Sequence, residues 1–173
     1  PEGDLATESC DIAIIGAGPA ALAAAAILAG SGLRTILLDE RAEPGGQYFK
    51  PLAPSHRFRA GPVDSQFAQG EQRRAAALAA GAEIRSGTLV WRASMEADGK
   101  AELAILAGQS AYRLTAAAVL VAAGAYEAPH HVPGWTLPGV MTAGAAQTLA
   151  RAYRVSPGRR VLVAGNGPLN WQV

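Results

Sequence analysis

The chain predicts an α/β fold with a parallel sheet, and three observations carry that expectation. Asp11-Ile12-Ala13-Ile14-Ile15 is a continuous apolar run that stops at Gly16, an alanine-rich stretch follows, and a second apolar run ends at Asp39-Glu40. Strand, glycine turn, helix and strand within ~30 residues make a βαβ unit. Apolar runs without alternation suit strands that are covered on both faces. Half of the 173 residues are hydrophobic and 17% are charged, enough to bury a core and too little charge for a disordered tail.

Each element follows in order. Asp11 to Ile15 is the first buried strand, Ala20 to Ala29 the helix, and Gly30-Ser31-Gly32 its stop. Arg34 to Asp39 is the second strand. Arg41 to Pro62, with four prolines and three glycines, is a long loop of the kind that is usually functional in a small domain. Asp64 caps a helix that runs to Ala80, with Gly81 just past its end. Ala82 to Arg85 is a third parallel strand. Thr88–Met95, Ala101–Leu106 and Ala111–Leu114 form three short antiparallel strands, the first two joined by the Asp98-Gly99 turn. Val119 to Ala122 returns as a separate buried strand. Pro129 to Gly139 is a linker, Thr142 to Tyr153 a helix, Arg160 to Ala164 a strand, and Leu169 to Val173 the start of a helix. A strand with half a helix cannot bury its own faces, so the C-terminal piece reads as an incomplete domain. The absence of an opening methionine fits a fragment of something longer.

Composition narrows the function. A net charge of +1 supplies no general attraction to nucleic acid or to an acidic membrane surface. A single cysteine, Cys10, leaves no disulfide framework, cysteine-only zinc site or CxxC redox pair. No basic segment leads into an apolar one at the N-terminus, and the apolar stretch Ala17–Ala29 is too short to span a bilayer. The expectation is a cytoplasmic protein without membrane insertion, nucleic-acid partner or bound metal.

The sharpest chemical signal is Gly16-Ala17-Gly18-Pro19-Ala20-Ala21. Gly16 permits the tight strand-to-helix turn, and Gly18 lets a pyrophosphate approach the backbone. Pro19 and Ala20 open the helix, and Ala21 is small enough for close packing where a third glycine would stand. Free N–H groups and about half an elementary charge at the helix start face the anion. A carboxylate ending the second strand can accept hydrogen bonds from an adenosine ribose, and both Asp39 and Glu40 are candidates.

At these residues a resemblance appears. The segment from Asp11 to Gln47 is similar to the start of the two-dinucleotide-binding-domain flavoproteins, the pyridine nucleotide-disulfide oxidoreductase superfamily. Glu40 precedes Gly45-Gly46 at that family's spacing. Thr115 to Gly124 resembles its second motif in the FAD domain, and Val161 to Leu169 the opening of its second nucleotide domain. PGGQYFKP, AAGAYEAP, VPGWTLPGVMTAGAAQ and GNGPL narrow the resemblance to one branch. That branch holds the flavoprotein subunits of opine oxidases, hydrogen cyanide synthase and dye-linked proline or amine dehydrogenases.

The resemblance implies a Rossmann-like, three-layer FAD-binding domain over residues 9–128, with a three-stranded β-meander crossover. Residues 129–173 would hold a linker and the truncated start of a second nucleotide-binding domain, with Gly165 and Gly167 in its glycine motif. Gly16, Gly18 and Ala21 would cradle the FAD pyrophosphate, with Pro19 and Ala20 beside them, and Glu40 would hold the ribose. Gly45, Gly46 and Gln47 would approach the ribityl chain and ring. Val90 would offer backbone groups to the adenine, and Ala123-Gly124 would close near the pyrophosphate. The flavin carries the chemistry in such enzymes, so no catalytic side chain is named.

The implied function is oxidation of an amino acid, opine or amine, with electrons passed to a partner subunit or another acceptor. Two alternatives stay open: an NAD(P)H-dependent flavin reductase, and a truncated, non-catalytic FAD- or nucleotide-binding module. Val140-Met141-Thr142-Ala143-Gly144 lacks the cysteine pair of the thioredoxin reductase-like members, which removes dithiol exchange. Asn170 replaces a small residue in the second glycine motif, so NAD(P) binding, open to a full-length protein, has no support in this chain.

Other residues carry less. His130-His131 lacks a third ligand at useful spacing and reads as surface or hinge. Trp135 reads as an interdomain packing residue, Arg73-Arg74 as a solvated helix face, Arg57 and Arg59 as surface of the long loop, and Cys10 as structural or incidental.

Overall fold

The two apolar runs become inner strands of a six-stranded sheet in the computed structural model, which describes residues 5–53 and 65–172. The elements are β1 (Thr7–Ile15), α1 (Pro19–Gly30), β2 (Thr35–Asp39), α2 (Ser65–Ala79), β3 (Glu83–Ser86), β4 (Thr88–Met95), β5 (Ala101–Ala107), β6 (Ser110–Val121) and α3 (Ala143–Ala152). A 3-10 turn, Pro168–Gln172, follows α3. The strand order is β3-β2-β1-β6-β5-β4. β1 pairs in parallel with β2 and β6, β2 in parallel with β3, and β4-β5-β6 form the antiparallel meander.

Every residue of β2 is buried, because the strand is covered on both faces. Leu37 faces the cluster built by Ile14, Ala21, Leu22, Ala25 and Ala77 with the helices. Ile36 and Leu38 face the other way, onto Ala13 and the meander residues Leu103, Ile105 and Leu114. Helices, parallel strands and meander therefore make three layers. In α1 the inward positions Ala21, Leu22, Ala25 and Ala29 keep one stripe small, and Pro19 sits at the first turn, where its missing N–H costs nothing.

The last strand of the sheet differs from the sequence expectation. Ala111–Leu114 and Val119–Ala122 are not two strands; Ser110–Val121 is one, β6. Thr115 to Ala118 contains no turn residue, so the extended chain continues. Its first part pairs with β5, while Arg113 to Val121 lies along β1. The Asp98-Gly99 hairpin forms as expected, with Gly99 at φ 82° and the Lys100 N–H donating to Asp98 Oδ1 at 3.0 Å.

The chain divides into two compact units, Pro1–Phe49 with Val63–Gly124, and Lys50–Pro62 with Ala125–Val173. In the second unit α3 is capped by the Thr142 hydroxyl, which accepts from the Ala145 N–H at 3.2 Å. The Glu127 carboxylate accepts the Gly144 N–H through both oxygens at 2.9 Å. The strand expected at Arg160–Ala164 is not formed, and Leu162 is 93% exposed. A parallel strand needs a neighbour to receive its N–H and C=O groups, and among the described residues none lies along this segment. Pro168–Gln172 is likewise a 3-10 turn instead of an α-helix start. Among the described residues no helix is long and apolar enough to cross a membrane. Asp64, Arg57 and Arg59 lie outside the described residues.

Candidate functional site

β1 ends at Ile15, and Gly16 turns the chain at φ 103° with its N–H donating to Leu38 O at 2.7 Å. A Cβ on Gly16 would stand 2.5 Å from Ala122 O and 3.3 Å from Ala123 Cα, so the end of β6 reserves this position for glycine. Gly18 is the N-cap of α1, and among the described residues no side chain caps the helix. The first-turn N–H groups are therefore left for an outside acceptor.

The second glycine turn closes on the first. The Gly45 N–H donates to Ala17 O at 2.8 Å, and a Cβ on Gly46 would lie 2.9 Å from Gly18 Cα. Gly45 and Gly46 both have positive φ, 125° and 62°. Two backbones can approach this closely only where neither carries a side chain. On the open side of Gly18 a Cβ would meet only Gly46 Cα, at 3.9 Å. The space beside the helix start is bounded by backbone, as close approach of a diphosphate requires. On this ground the residues present fit a dinucleotide.

The two carboxylates at the end of β2 separate. Asp39 is buried, with Oδ2 accepting the Ala17 N–H at 2.6 Å and Oδ1 the Arg41 N–H at 2.8 Å. It is spent on holding the glycine loop against β2. Glu40, the next residue, is exposed. The turn that enters β4 is tied beside it, since the Gly87 N–H donates to Arg41 O at 2.9 Å. Val90 pairs with Ile105 and packs its side chain on the meander-side core, and the register slips at Trp91 just beyond it.

The remaining candidates fall as follows. Ala21 is fully buried under the turn, Ala20 and Gln47 are exposed, and Ala123 and Gly124 follow β6 on the surface, with Gly124 at φ 77°. The structure thus brings Gly16, Gly18, Pro19, Gly45, Gly46 and Ala123 together at the carboxyl ends of β1, β2 and β6. Gly165 and Gly167 belong to the second unit. Sequence reasoning missed two contacts here: the Asp39 clamp on Ala17, and the packing of Phe49 on Gly70. The signal for the second is a glycine inside a helical segment.

Away from this corner, Arg85 on β3 joins Glu8 of β1 with two bonds of 2.7 and 2.8 Å and reaches Tyr112 Oη of β6 at 3.1 Å. Its hydrogen bonds hold the Glu8 carboxyl below the usual carboxylate range. Burial pushes the Cys10 thiol up to about 11, which leaves it unreactive near neutral pH. Trp135 packs edge-on against His131 at 4.6 Å within the linker.

Sheet order, glycine turn and helix start define a Rossmann-type fold of the nucleotide-binding class. Residues 10–170 match the pyridine nucleotide-disulphide oxidoreductase family, and the chain belongs to it, among the flavoprotein oxidoreductases. It is 37% identical over 166 residues to an opine oxidase subunit of Agrobacterium tumefaciens (strain Ach5), covering 92% of this chain and 32% of that protein. It is 30% identical over 167 residues to the hydrogen cyanide synthase subunit HcnB of Pseudomonas protegens, covering 90% of this chain and 33% of that protein. The fold is shared with L-proline dehydrogenase from P. horikoshii, with a TM-score of 0.72 at 23% identity over 91% of this chain and 31% of that one. The chain spans about a third of the length of these relatives.

Proposed function

We propose that this chain is the FAD-holding portion of an oxidoreductase subunit that oxidises an amino acid, opine or amine and hands the electrons to a partner subunit or another acceptor. The observation that carries the reading is the closure of Gly45-Gly46 on Gly18 at the carboxyl ends of β1 and β2. Relatives named as opine oxidase and hydrogen cyanide synthase subunits support the substrate class and the partner. Bound FAD would accept a hydride from the carbon next to nitrogen.

In this reading each residue has a distinct task. Gly16, Gly18, Pro19, Ala20 and Ala21 form the bare-backbone wall and helix start that receive the pyrophosphate. Glu40 takes the ribose, because Asp39 is already committed to the Ala17 and Arg41 N–H groups. Gly45, Gly46 and Gln47 line the path toward the flavin ring, Val90 offers backbone to the adenine, and Ala123-Gly124 close the far side. Gly165 and Gly167 belong to the start of a second nucleotide-binding domain. The low cysteine content fits a reducing compartment, and in this reading the protein is cytoplasmic.

The test is the visible absorption spectrum of the purified protein, with any released chromophore identified by mass. Bound FAD is expected, and Glu40→Ala should weaken its binding by about 1.5–3 kcal/mol, the range for hydrogen bonds to a charged group. Colourless protein that takes up no added FAD would refute the reading. An unchanged affinity in Glu40→Ala would move the ribose contact elsewhere.

A further inference from the structure

Gly70 sits inside α2, where glycine costs roughly 0.5–1 kcal/mol against alanine and needs a reason. The reason is Phe49. A Cβ on Gly70 would stand 2.6 Å from Phe49 Cβ and 3.0 Å from Phe49 Cγ, so the helix is bare at the one place where the phenylalanine crosses it. Phe49 is only 7% exposed and belongs to the core cluster with Leu22, Ala77 and Leu37.

Phe49 is also the last residue of the second glycine turn. Its N–H donates to Gly45 O at 3.2 Å, and the Gly45 N–H donates to Ala17 O at 2.8 Å. A chain of contacts thus runs from the interior of α2, through Phe49 and Gly45, to the first glycine loop. Gly46 ends it, close against Gly18. Without the anchor, the positive-φ pair Gly45-Gly46 has ample freedom to leave that position, since glycine surrenders more conformational entropy than any other residue when ordered.

We infer that the Phe49–Gly70 contact is a lock that positions the Gly45–Gln47 turn on the nucleotide loop, making Phe49 and Gly70 positioning residues for the flavin site. The inference rests on the FAD reading above. Neither residue need touch the cofactor. Both act through the turn, and the conflict at Gly70 involves Phe49 Cβ, close to the backbone, which no rotamer change can relieve.

The experiment pairs amide hydrogen exchange with FAD titration in the whole protein, using Gly70→Ala and the milder Phe49→Leu. Exchange is expected to rise at residues 45–49 while β1 and β6 stay protected. FAD affinity should fall about tenfold in Gly70→Ala, a loss of about 1.4 kcal/mol, and less in Phe49→Leu. Unchanged exchange at 45–49 in both variants would overturn the lock while leaving FAD binding by the wild type intact. Faster exchange with unchanged FAD affinity would show a lock on a turn that does not serve the cofactor. Wild-type protein that binds no FAD would remove the cofactor reading and the positioning role together. Phe49→Leu keeps the test decisive if Gly70→Ala does not fold, because it shortens the anchor without adding an atom to α2.

Discussion

The chain carries two glycine turns of similar sequence, Gly16-Ala17-Gly18-Pro19 and Gly165-Asn166-Gly167-Pro168, and they end in different structures. Both leading glycines adopt positive φ, 103° and 122°. The first turn follows a strand and opens a 12-residue α-helix. The second follows an irregular, exposed segment and opens a 3-10 turn. The glycine conformation is a local property and appears in both. The strand is not local, because β1 exists by pairing with β2 on one side and β6 on the other. A motif therefore specifies a turn, and the sheet around it decides whether a nucleotide-binding geometry results.

The strongest way to break this comparison is to add one methyl group at each turn. Gly16→Ala drives a Cβ to within 2.5 Å of the Ala122 carbonyl, and should cost about 3 kcal/mol in urea unfolding, given both overpacking and a strained φ. Among the described residues Gly165→Ala meets the Asn170 side-chain amide, at 2.9 Å, which can swing away, so about 1 kcal/mol is expected from φ strain alone. Equal losses at the two sites would show that the second turn is held as firmly as the first.

The next contrast lies in what secures each turn. Asp39 clamps the first loop through Ala17, whereas among the described residues the second is held by Asn170, whose side chain donates to Ala164 O at 3.4 Å and whose N–H donates to Gly167 O at 3.1 Å. Asp39→Ala leaves buried N–H groups unsatisfied and should destabilise by about 2 kcal/mol, against less than about 0.5 kcal/mol for Asn170→Ala. A neutral Asp39→Ala in urea unfolding would remove the clamp from the account.

The smallest effect concerns the other end of the sheet. Glu8 has its carboxyl lowered by the Arg85 hydrogen bonds, so the stabilisation is present above the ordinary carboxylate value and is lost as pH falls through the folded one. Glu8→Gln should cost at most about 1 kcal/mol near neutral pH, because the pair is partly solvated. The difference from wild type should vanish in acid. A gap that persists in acid would assign the effect to packing instead of charge.

The sequence alone determined the βαβ unit, the meander and the first glycine turn. Those signals are local: apolar runs set by coverage on both faces, an Asp-Gly hairpin, and glycines at positions that require them. The strand pattern left both Asp39 and Glu40 as candidates, since adjacent residues of a strand differ only in which face they take, and only the family resemblance favoured Glu40. Tertiary structure set them apart, burying Asp39 against the Ala17 N–H and leaving Glu40 exposed. It also replaced the expected strands Ala111–Leu114 and Val119–Ala122 by the single strand Ser110–Val121, which has β1 as a partner from Arg113 onward. It left the expected strand Arg160–Ala164 without a partner among the described residues, because β-pairing needs a second backbone that no local pattern supplies. Gly70 was legible only as an anomaly within a helix. Its meaning came from Phe49, twenty-one residues away in sequence and in contact in space.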